Sequence, residues 1–243
     1  MFYYSFFNLL YDIMPLKDFF ESIKRKRRNN LTELESREIL THYGIPIVRG
    51  QVIKSIEEAK KFVEKVGYPL VLKVLSPQII HKTEVGGVIL NIKNEKELFE
   101  AYHQIIKNVE KNAPKATIEG FFIQEMLSSD REVIIGGKYD PTFGPTIAFG
   151  LGGVFVEVFE DISFRVAPIT QEDAIDMIKE IKAFKILKGY RGQKPVDFKA
   201  LVDILLKTSK MLEENPEIKE LDINPIFALP DKAVAVDARI IIE

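Results

Sequence analysis

Three polar signatures fix where helices can begin in this chain: Thr32-x-x-Glu35, Ser55-x-x-Glu58 and Thr170-x-x-Asp173. In each, a hydroxyl can accept from the backbone N–H three residues on while the carboxylate reaches back, the last in a looser form with Asp. Glycine followed by proline marks the ends. The first helix should stop at Gly44 before Pro46, and the second at Gly67 before Pro69. Next comes 69–75, PLVLKVL, an apolar run of strand length. A second strand is expected over 87–92, after a Gly-Gly pair, and a long helix over 94–112. Past Phe121 the chain turns strand-rich, with FFIQEML, EVIIGGKYD, PTIAFG, VFVEVFED and FRVAPI, and a turn at 140–144, DPTFG. Helical stretches over 171–184 and 197–214 precede a last pair of strands. The elements are grouped, not strictly alternating, which reads as α+β in two lobes. The expected division is an arm of residues 1–30, a lobe over 31–120 and a second lobe over 121–243. There is no internal repeat.

At 243 residues the chain can bury a full core without staples, since chains of this size hide roughly 70–75% of their unfolded surface. A formal charge of −2 gives no general nucleic-acid role. The absence of cysteine excludes disulfides, thiolate catalysis and thiolate-held metals, and makes a reducing cytoplasm the natural home.

Residues 1–14, MFYYSFFNLLYDIM, are apolar and aromatic, but a membrane-spanning helix needs about 20 such residues. The run also lacks the basic start and small-residue cleavage site of a signal peptide. Two explanations stand side by side: a start at Met14, or a small helix packed on a partner. The basic cluster at 24–28, KRKRR, reads as a solvated helix end or linker.

Lys73 is the lone charge inside PLVLKVL. A lysine in such a strand calls for an anion, and a bound phosphate would serve; a salt bridge or an edge strand is the plainer alternative. Gly86 and Gly87 can bring backbone N–H groups close to a phosphate, or make only a tight turn. Between them and the lysine strand sits His81, one of three histidines. Imidazole can act as a nucleophile and phosphoryl carrier, although a surface histidine is the commoner outcome. A further glycine loop at 149–153, FGLGG, has no helix after it and so fails the context test for a dinucleotide fingerprint.

The C-terminal hairpin is the most instructive stretch. In 219–227, KELDINPIF, Glu220, Asp222 and Asn224 share one face, and Leu221 and Ile223 the other. Pro230-Asp231 makes a good turn centre. A hairpin symmetric about it sets Asn224 opposite Asp237, and Asp222 opposite Arg239. Opposed Cβ atoms lie about 4.5–5.5 Å apart, close enough for an amide oxygen and a carboxylate to share one cation. Such oxygens suit Mg²⁺, which leaves its other positions to phosphate and water. A polar outer face with an Asp–Arg pair is the alternative.

These pieces stand in the order of a known family. The chain resembles the ATP-grasp (β) subunit of ADP-forming acetyl-CoA or acyl-CoA synthetases, and more distantly the β subunit of succinyl-CoA synthetase. The resemblance runs over about residues 31–243. It is carried by LTELESREILTHYGIPI, PLVLKVLSPQIIHKTEVGGV, REVIIGG, GPTIAFGLGGVFVE, LKGYRG, and ELDINP followed by AVDARI. It implies an ATP-grasp fold, two α+β lobes gripping ATP or ADP between them. Lys73, with Gly86 and Gly87, would meet the phosphates, and Gln124, Glu125, Met126 and Leu127 would form the hinge touching adenine. Glu132 would hold the ribose, and Asn224 and Asp237 would bind Mg²⁺. His81 would accept a phosphoryl group and pass it to ADP. The partner implied is a CoA-binding α subunit in an α2β2 hetero-oligomer, with neither nucleic acid nor membrane involved. The reaction implied is acyl-CoA + ADP + phosphate to acid + CoA + ATP, reversibly.

Two other readings compete. Another ATP-grasp carboxylate ligase, attacking an acyl phosphate with an amine, would keep Lys73 and the metal pair but have no use for His81. A nucleotide-sensing subunit without phosphoryl transfer would tolerate loss of both His81 and Asp237.

Overall fold

The computed structural model describes residues 15–79, 81–152, 161–190 and 192–243. The aromatic run at 1–14, most of the VFVEVFED strand, Gly153 and Arg191 of LKGYRG lie outside the described residues.

The chain divides into two compact units. Val48–Leu127 makes the smaller, and Ser128–Glu243 with the described residues of the N-terminal segment up to Ile47 makes the larger. The smaller unit is thus an insertion within the larger one's sequence, and the polypeptide crosses between them at 47/48 and again at 127/128.

In the smaller unit, β1 (Gly50–Ile53), β2 (Leu70–Leu75), β3 (Val88–Ile92) and β4 (Gly120–Glu125) form one sheet in the order β1-β4-β2-β3. Helix α3 (Ile56–Val66) begins where Ser55 Oγ accepts from the Glu58 N–H and ends at Gly67, whose φ of 77° needs a glycine. Helix α4 (Glu95–Asn112) is capped by Asn94 and buries Leu98, Ala101, Ile105 and Val109, one face at helical spacing. Both helices cover the same sheet face, where Leu70, Leu72 and Val74 join Phe62 and Ile105 in one core.

The larger unit opens with two helices, α1 (Leu16–Arg25) and α2 (Glu33–His42). The capping box at Thr32 and Glu35 has both of its reciprocal bonds. Strands β5 (Glu132–Asp140), β6 (Gly144–Leu151), β7 (Ile162–Val166), β8 (Ile218–Ala228), β9 (Ala233–Ala235) and β10 (Ala238–Ile242) make a six-stranded sheet. Its order is β10-β8-β5-β6-β7, with β9 paired to β8. Helices α5 (Gln171–Glu180), α6 (Phe184–Leu187) and α7 (Phe198–Glu214) contribute Met177, Leu187, Leu201 and Leu205 to the core beneath Ile135, Phe149 and Ile223.

Part of the segment read as an arm is integral here. Helix α1 buries Phe20 and Ile23 almost completely within the larger core, each contributing about 1.5–3 kcal/mol. Asp18 in its first turn and Lys24 and Arg25 in its last complement the helix dipole. The stretch expected as one helix over 171–184 is broken: α5 ends at Glu180, and Asp161 accepts from the N–H groups of Lys182 and Ala183. No helix among the described residues is long and apolar enough to cross a membrane.

Candidate functional site

The pleat of β2 sorts its side chains. Leu70, Leu72 and Val74 face the helices, so Val71 and Lys73 face the other way. Strand β2 pairs with both β3 and β4, which removes the edge-strand explanation for the lysine. Lys73 is only 9% exposed. Its neighbours in register are Val88 on one side and Phe122 on the other, while Val71 stands opposite Gln124.

Gln124 is 2% exposed, and its Oε1 has no hydrogen-bond partner among the described residues. A buried carbonyl left unpaired costs about 1–3 kcal/mol, so this oxygen is an acceptor in want of a donor. Gly50, not anticipated from the sequence, belongs to the same face. A Cβ there would lie 2.5 Å from Phe122 Cζ and 3.1 Å from Gln124 Cβ, so only glycine lets both side chains lie over the strand. Its one sequence cue is a glycine at a strand start, which marks close approach of a neighbour.

The next three residues behave differently from one another. Glu125 is engaged by Arg49, accepting from its backbone N–H at 2.8 Å, its Nε at 2.9 Å and its second guanidinium nitrogen at 2.6 Å. That contact raises the arginine's already high pKa. Met126 donates its N–H to the Pro69 carbonyl at 2.9 Å, and its sulfur receives the Asn91 N–H at 3.1 Å. Leu127 is half-exposed and ends the unit.

The segment between β2 and β3 is a run of turns with contrasting ends. The Gly86-Gly87 end is bolted down. Asn108 Nδ2 of α4 donates to the Gly86 carbonyl at 2.8 Å, and Asn112 Nδ2 to the Val85 carbonyl at 3.2 Å. Gln104 holds the Asn108 amide oxygen at 2.7 Å, which turns the nitrogen toward Gly86. Gly86 has a φ of +67°, and a Cβ on Gly87 would lie 2.6 Å from Val74. Here the glycines let the chain lie flat on β2 and α4, and the pair anchors the segment. By contrast, His81 is 74% exposed, with Nδ1 3.9 Å from Glu84 Oε1. The asparagine latch gave no sequence cue, because Asn108 and Asn112 sit on the polar side of a long helix.

In the larger unit the hairpin register matches the arithmetic. Arg239 stands opposite Asp222, Ala238 opposite Ile223 and Ala235 opposite Ile226. The turn closes with Leu229 N–H on the Lys232 carbonyl at 2.9 Å. Asn224 N–H reaches the Asp237 carbonyl at 3.2 Å, so these two are opposed as well. Asn224 is exposed and Asp237 half-exposed. Asp237 Oδ1 accepts from the Ala238 N–H at 2.8 Å. Neighbouring strands crowd Asp222 although it reaches solvent; that burial raises its carboxyl pKa, against the Asn224 amide and the Arg239 charge, which lower it. A groove of about 320 Å³ on the open sheet face is lined by Gly136, Lys138, Thr146, Phe164, Asp222 and Arg239.

An amide oxygen opposite a carboxylate fits Mg²⁺ in donor type. Among the described residues no cluster of three or more His, Cys, Asp or Glu could hold a metal alone. The pair therefore suits an ion shared with a ligand's own oxygens. Glu132 opens β5 opposite Phe227, and Gly152 donates its N–H to the Glu132 carbonyl at 2.6 Å. A Cβ on Gly152 would lie 3.1 Å from Glu132 Cβ, so Gly152 packs on the base of this acid, while Phe149–Leu151, expected as a loop, belong to β6.

Residues 22–242 match the ATP-grasp domain family, and the chain belongs to it. The β subunit of acetate–CoA ligase (ADP-forming) I from Pyrococcus furiosus is 53% identical over 95% of this chain and 99% of its own. The chain is accordingly a member of the family of ADP-forming acetate–CoA ligase β subunits. The 4-hydroxybutyrate–CoA ligase (ADP-forming) of Nitrosopumilus maritimus is 44% identical over 88% of this chain, which spans 30% of that longer protein. Two structures of acetyl-coenzyme A synthetase 1 from Ca. Korarchaeum cryptofilum are also similar, each covering 94% of this chain and 100% of their own. One, with a phosphorylated phosphohistidine segment in its site I orientation, has a TM-score of 0.85 at 46% identity. The other, with Mg-AMPPCP and that segment pointing towards the nucleotide site, has 0.82 at 44%.

Proposed function

We propose that this chain is the nucleotide-binding subunit of an ADP-forming acyl-CoA synthetase and that His81 relays the phosphoryl group to ADP. The observation that carries the reading is the contrast along one segment: His81 stands out in solvent while Gly86 and Gly87 are fastened to α4 and β2. A histidine that serves two sites needs reach from a fixed root. The Korarchaeum structures, with their segment in two orientations, support the same reading.

In this scheme a CoA-binding α subunit, in an α2β2 assembly, makes an acyl phosphate from acyl-CoA and phosphate and passes the phosphoryl group on. A His81 ring nitrogen forms a P–N bond as the partner's bond to phosphorus breaks. A β-phosphate oxygen of ADP then attacks, the P–N bond breaks and ATP leaves; every step is reversible. Lys73 holds phosphate, whereas the Gly86 and Gly87 N–H groups are taken by the Thr83 and Lys82 carbonyls. Gln124 with its three successors meets adenine, its orphan Oε1 accepting from the exocyclic amine. Glu132 takes the ribose hydroxyls. Asn224 and Asp237 would hold Mg²⁺, which when bound neutralises phosphate charge.

Incubation with Mg·ATP labelled in the γ-phosphate tests the relay. The chain should take up an acid-labile, base-stable label that His81→Ala lacks, with nucleotide affinity nearly unchanged. ATP synthesis from a panel of acyl-CoAs by the complex with the partner should vanish in the same variant. Robust synthesis by the His81→Ala complex would overturn the relay and leave direct transfer.

A further inference from the structure

Glu84 is not needed for any of the roles above, yet its carboxylate lies within ion-pair reach of the relay histidine. Its Oε1 lies 3.9 Å from His81 Nδ1, one turn along the same segment. Both side chains are about three-quarters exposed, at 74% and 77%. An exposed pair at this distance contributes little to stability, so a structural reason for the pairing is weak. The chemical reason is stronger. A neutral imidazole carries one N–H, and the nitrogen without it is the nucleophile. A carboxylate beside Nδ1 favours the tautomer with hydrogen there and leaves the Nε2 lone pair free. As Nε2 bonds to phosphorus, the ring gains positive charge, which the same carboxylate offsets.

We propose that Glu84 is a positioning residue for His81, accepting from Nδ1–H so that phosphoryl transfer takes place at Nε2. The proposal rests on the relay reading and adds to it the atom that carries the phosphoryl group. In the step, the Nε2 lone pair forms a bond to the γ-phosphorus of a nucleoside triphosphate, the bond to the bridging oxygen breaks, and the nucleoside diphosphate takes that electron pair. The Nδ1 proton stays on the ring, hydrogen-bonded to Glu84.

The anchor gives this arrangement a property that a carboxylate elsewhere in the fold would lack. The Gly86 and Val85 carbonyls are held by Asn108 and Asn112, so the root of the segment is set. Glu84 lies inside the turn closed by the Gly86 N–H on the Thr83 carbonyl at 3.0 Å and the Gly87 N–H on the Lys82 carbonyl at 2.7 Å, and His81 stands just ahead of that turn. A movement of the turn as a unit carries histidine and carboxylate together and presents the same nitrogen throughout.

The regiochemistry of the phosphohistidine tests this directly. The full chain, phosphorylated with Mg·ATP, would be examined by ³¹P NMR, which separates Nε2- from Nδ1-phosphohistidine. Wild type should carry Nε2-phosphate alone. Glu84→Gln keeps an acceptor for Nδ1–H but loses the charge, so it should keep the isomer while labelling more slowly. Glu84→Ala should label slower still and give a mixture of isomers, and Glu84→Asp should restore most of the rate. The fall in rate for alanine should be roughly tenfold, the lower end of what a hydrogen bond to a charged group is worth. Nucleotide affinity and melting temperature should not move, which a merely structural role would not combine with a changed isomer ratio. Wild-type rate and pure Nε2-phosphate in Glu84→Ala would overturn the positioning role while leaving the relay intact. Nδ1-phosphate in wild type would do the same. No label on wild type would overturn the relay, and this proposal with it.

Discussion

The backbone N–H of Asn224 donates to the carbonyl of Asp237 across the β8–β10 hairpin at 3.2 Å, which sets the two residues face to face. Two oxygens so placed cannot complete an octahedral shell, so an ion held here would take its other ligands from phosphate and water. Asp237→Ala should weaken Mg·ADP binding roughly 10- to 100-fold, as losses around metal sites commonly do. The variant should bind metal-free ADP as wild type does, and titration calorimetry with and without chelator separates the two. Equal losses in both titrations would remove Asp237 from the metal site.

Lys73 is buried in an interior strand, and its stem and its charge can be tested apart. Lys73→Met keeps the volume, so the change in stability should stay below about 1.5 kcal/mol. Lys73→Ala removes the stem and should cost roughly 2–3 kcal/mol. Nucleotide affinity should fall in both, by roughly tenfold or more for a lost charged hydrogen bond. Unchanged affinity in both variants would assign the lysine to the structure alone.

At Gly86 the backbone sits at φ +67°, and a Cβ would meet Asn108 Nδ2 at 2.6 Å. Gly86→Ala should therefore lose about 1–2 kcal/mol from the backbone alone, plus the Asn108 bond. Asn108→Ala loses only the bond. The double variant should be less destabilised than the sum, because the two changes remove the same contact. Strict additivity in denaturant melts would show that Asn108 does not latch the glycine.

Asp173 offers a pH handle away from any site. Bonds from the Thr170 hydroxyl and then the Thr170 N–H lower its pKa from the usual 3.8, with Arg165 adding less. A carboxyl depressed in the folded state stabilises the fold above the unfolded pKa, and that stability is lost as pH falls through the folded value. Asp173→Asn should thus melt below wild type at neutral pH. The gap should close as pH drops below 3.8. A constant gap across the titration would show that the cap does not depend on ionisation.

Much of this was legible in the sequence because it depends on local rules. The hydroxyls of Thr32, Ser55 and Thr170 cap helices as expected, and the carboxylate reaches back to the cap residue at Thr32 and Thr170, while Glu58 takes the Lys54 N–H in place of Ser55's. The hairpin register followed from one turn and the two-residue period of a strand. What stayed hidden depends on distant neighbours. Nothing near Leu16 announces that Phe20 will join a core whose other members run to Ile242. Nothing near Asn108 tells that its amide will meet Gly86. The glycine pair was legible as special, but that it fastens the segment is decided by α4.

The insertion of one unit within the other has a consequence for the order in which the chain can acquire structure during synthesis. Val48–Leu127 is contiguous, and its first and last strands pair side by side, with the Glu125 N–H on the Arg49 carbonyl at 2.9 Å. It holds all its own partners once Leu127 has emerged from the ribosome. The surrounding unit is made partly before and partly after it. The Leu31 N–H bonds to the Ile240 carbonyl, and Asn30 bridges to Ile241. The oldest described segment therefore waits for β10, made only after the insert and the other strands of its sheet, with Phe20 and Ile23 uncovered meanwhile. A nascent chain stalled once Leu127 has cleared the exit tunnel but before β10 is made should show the insert protected from protease and helix α1 still open to it.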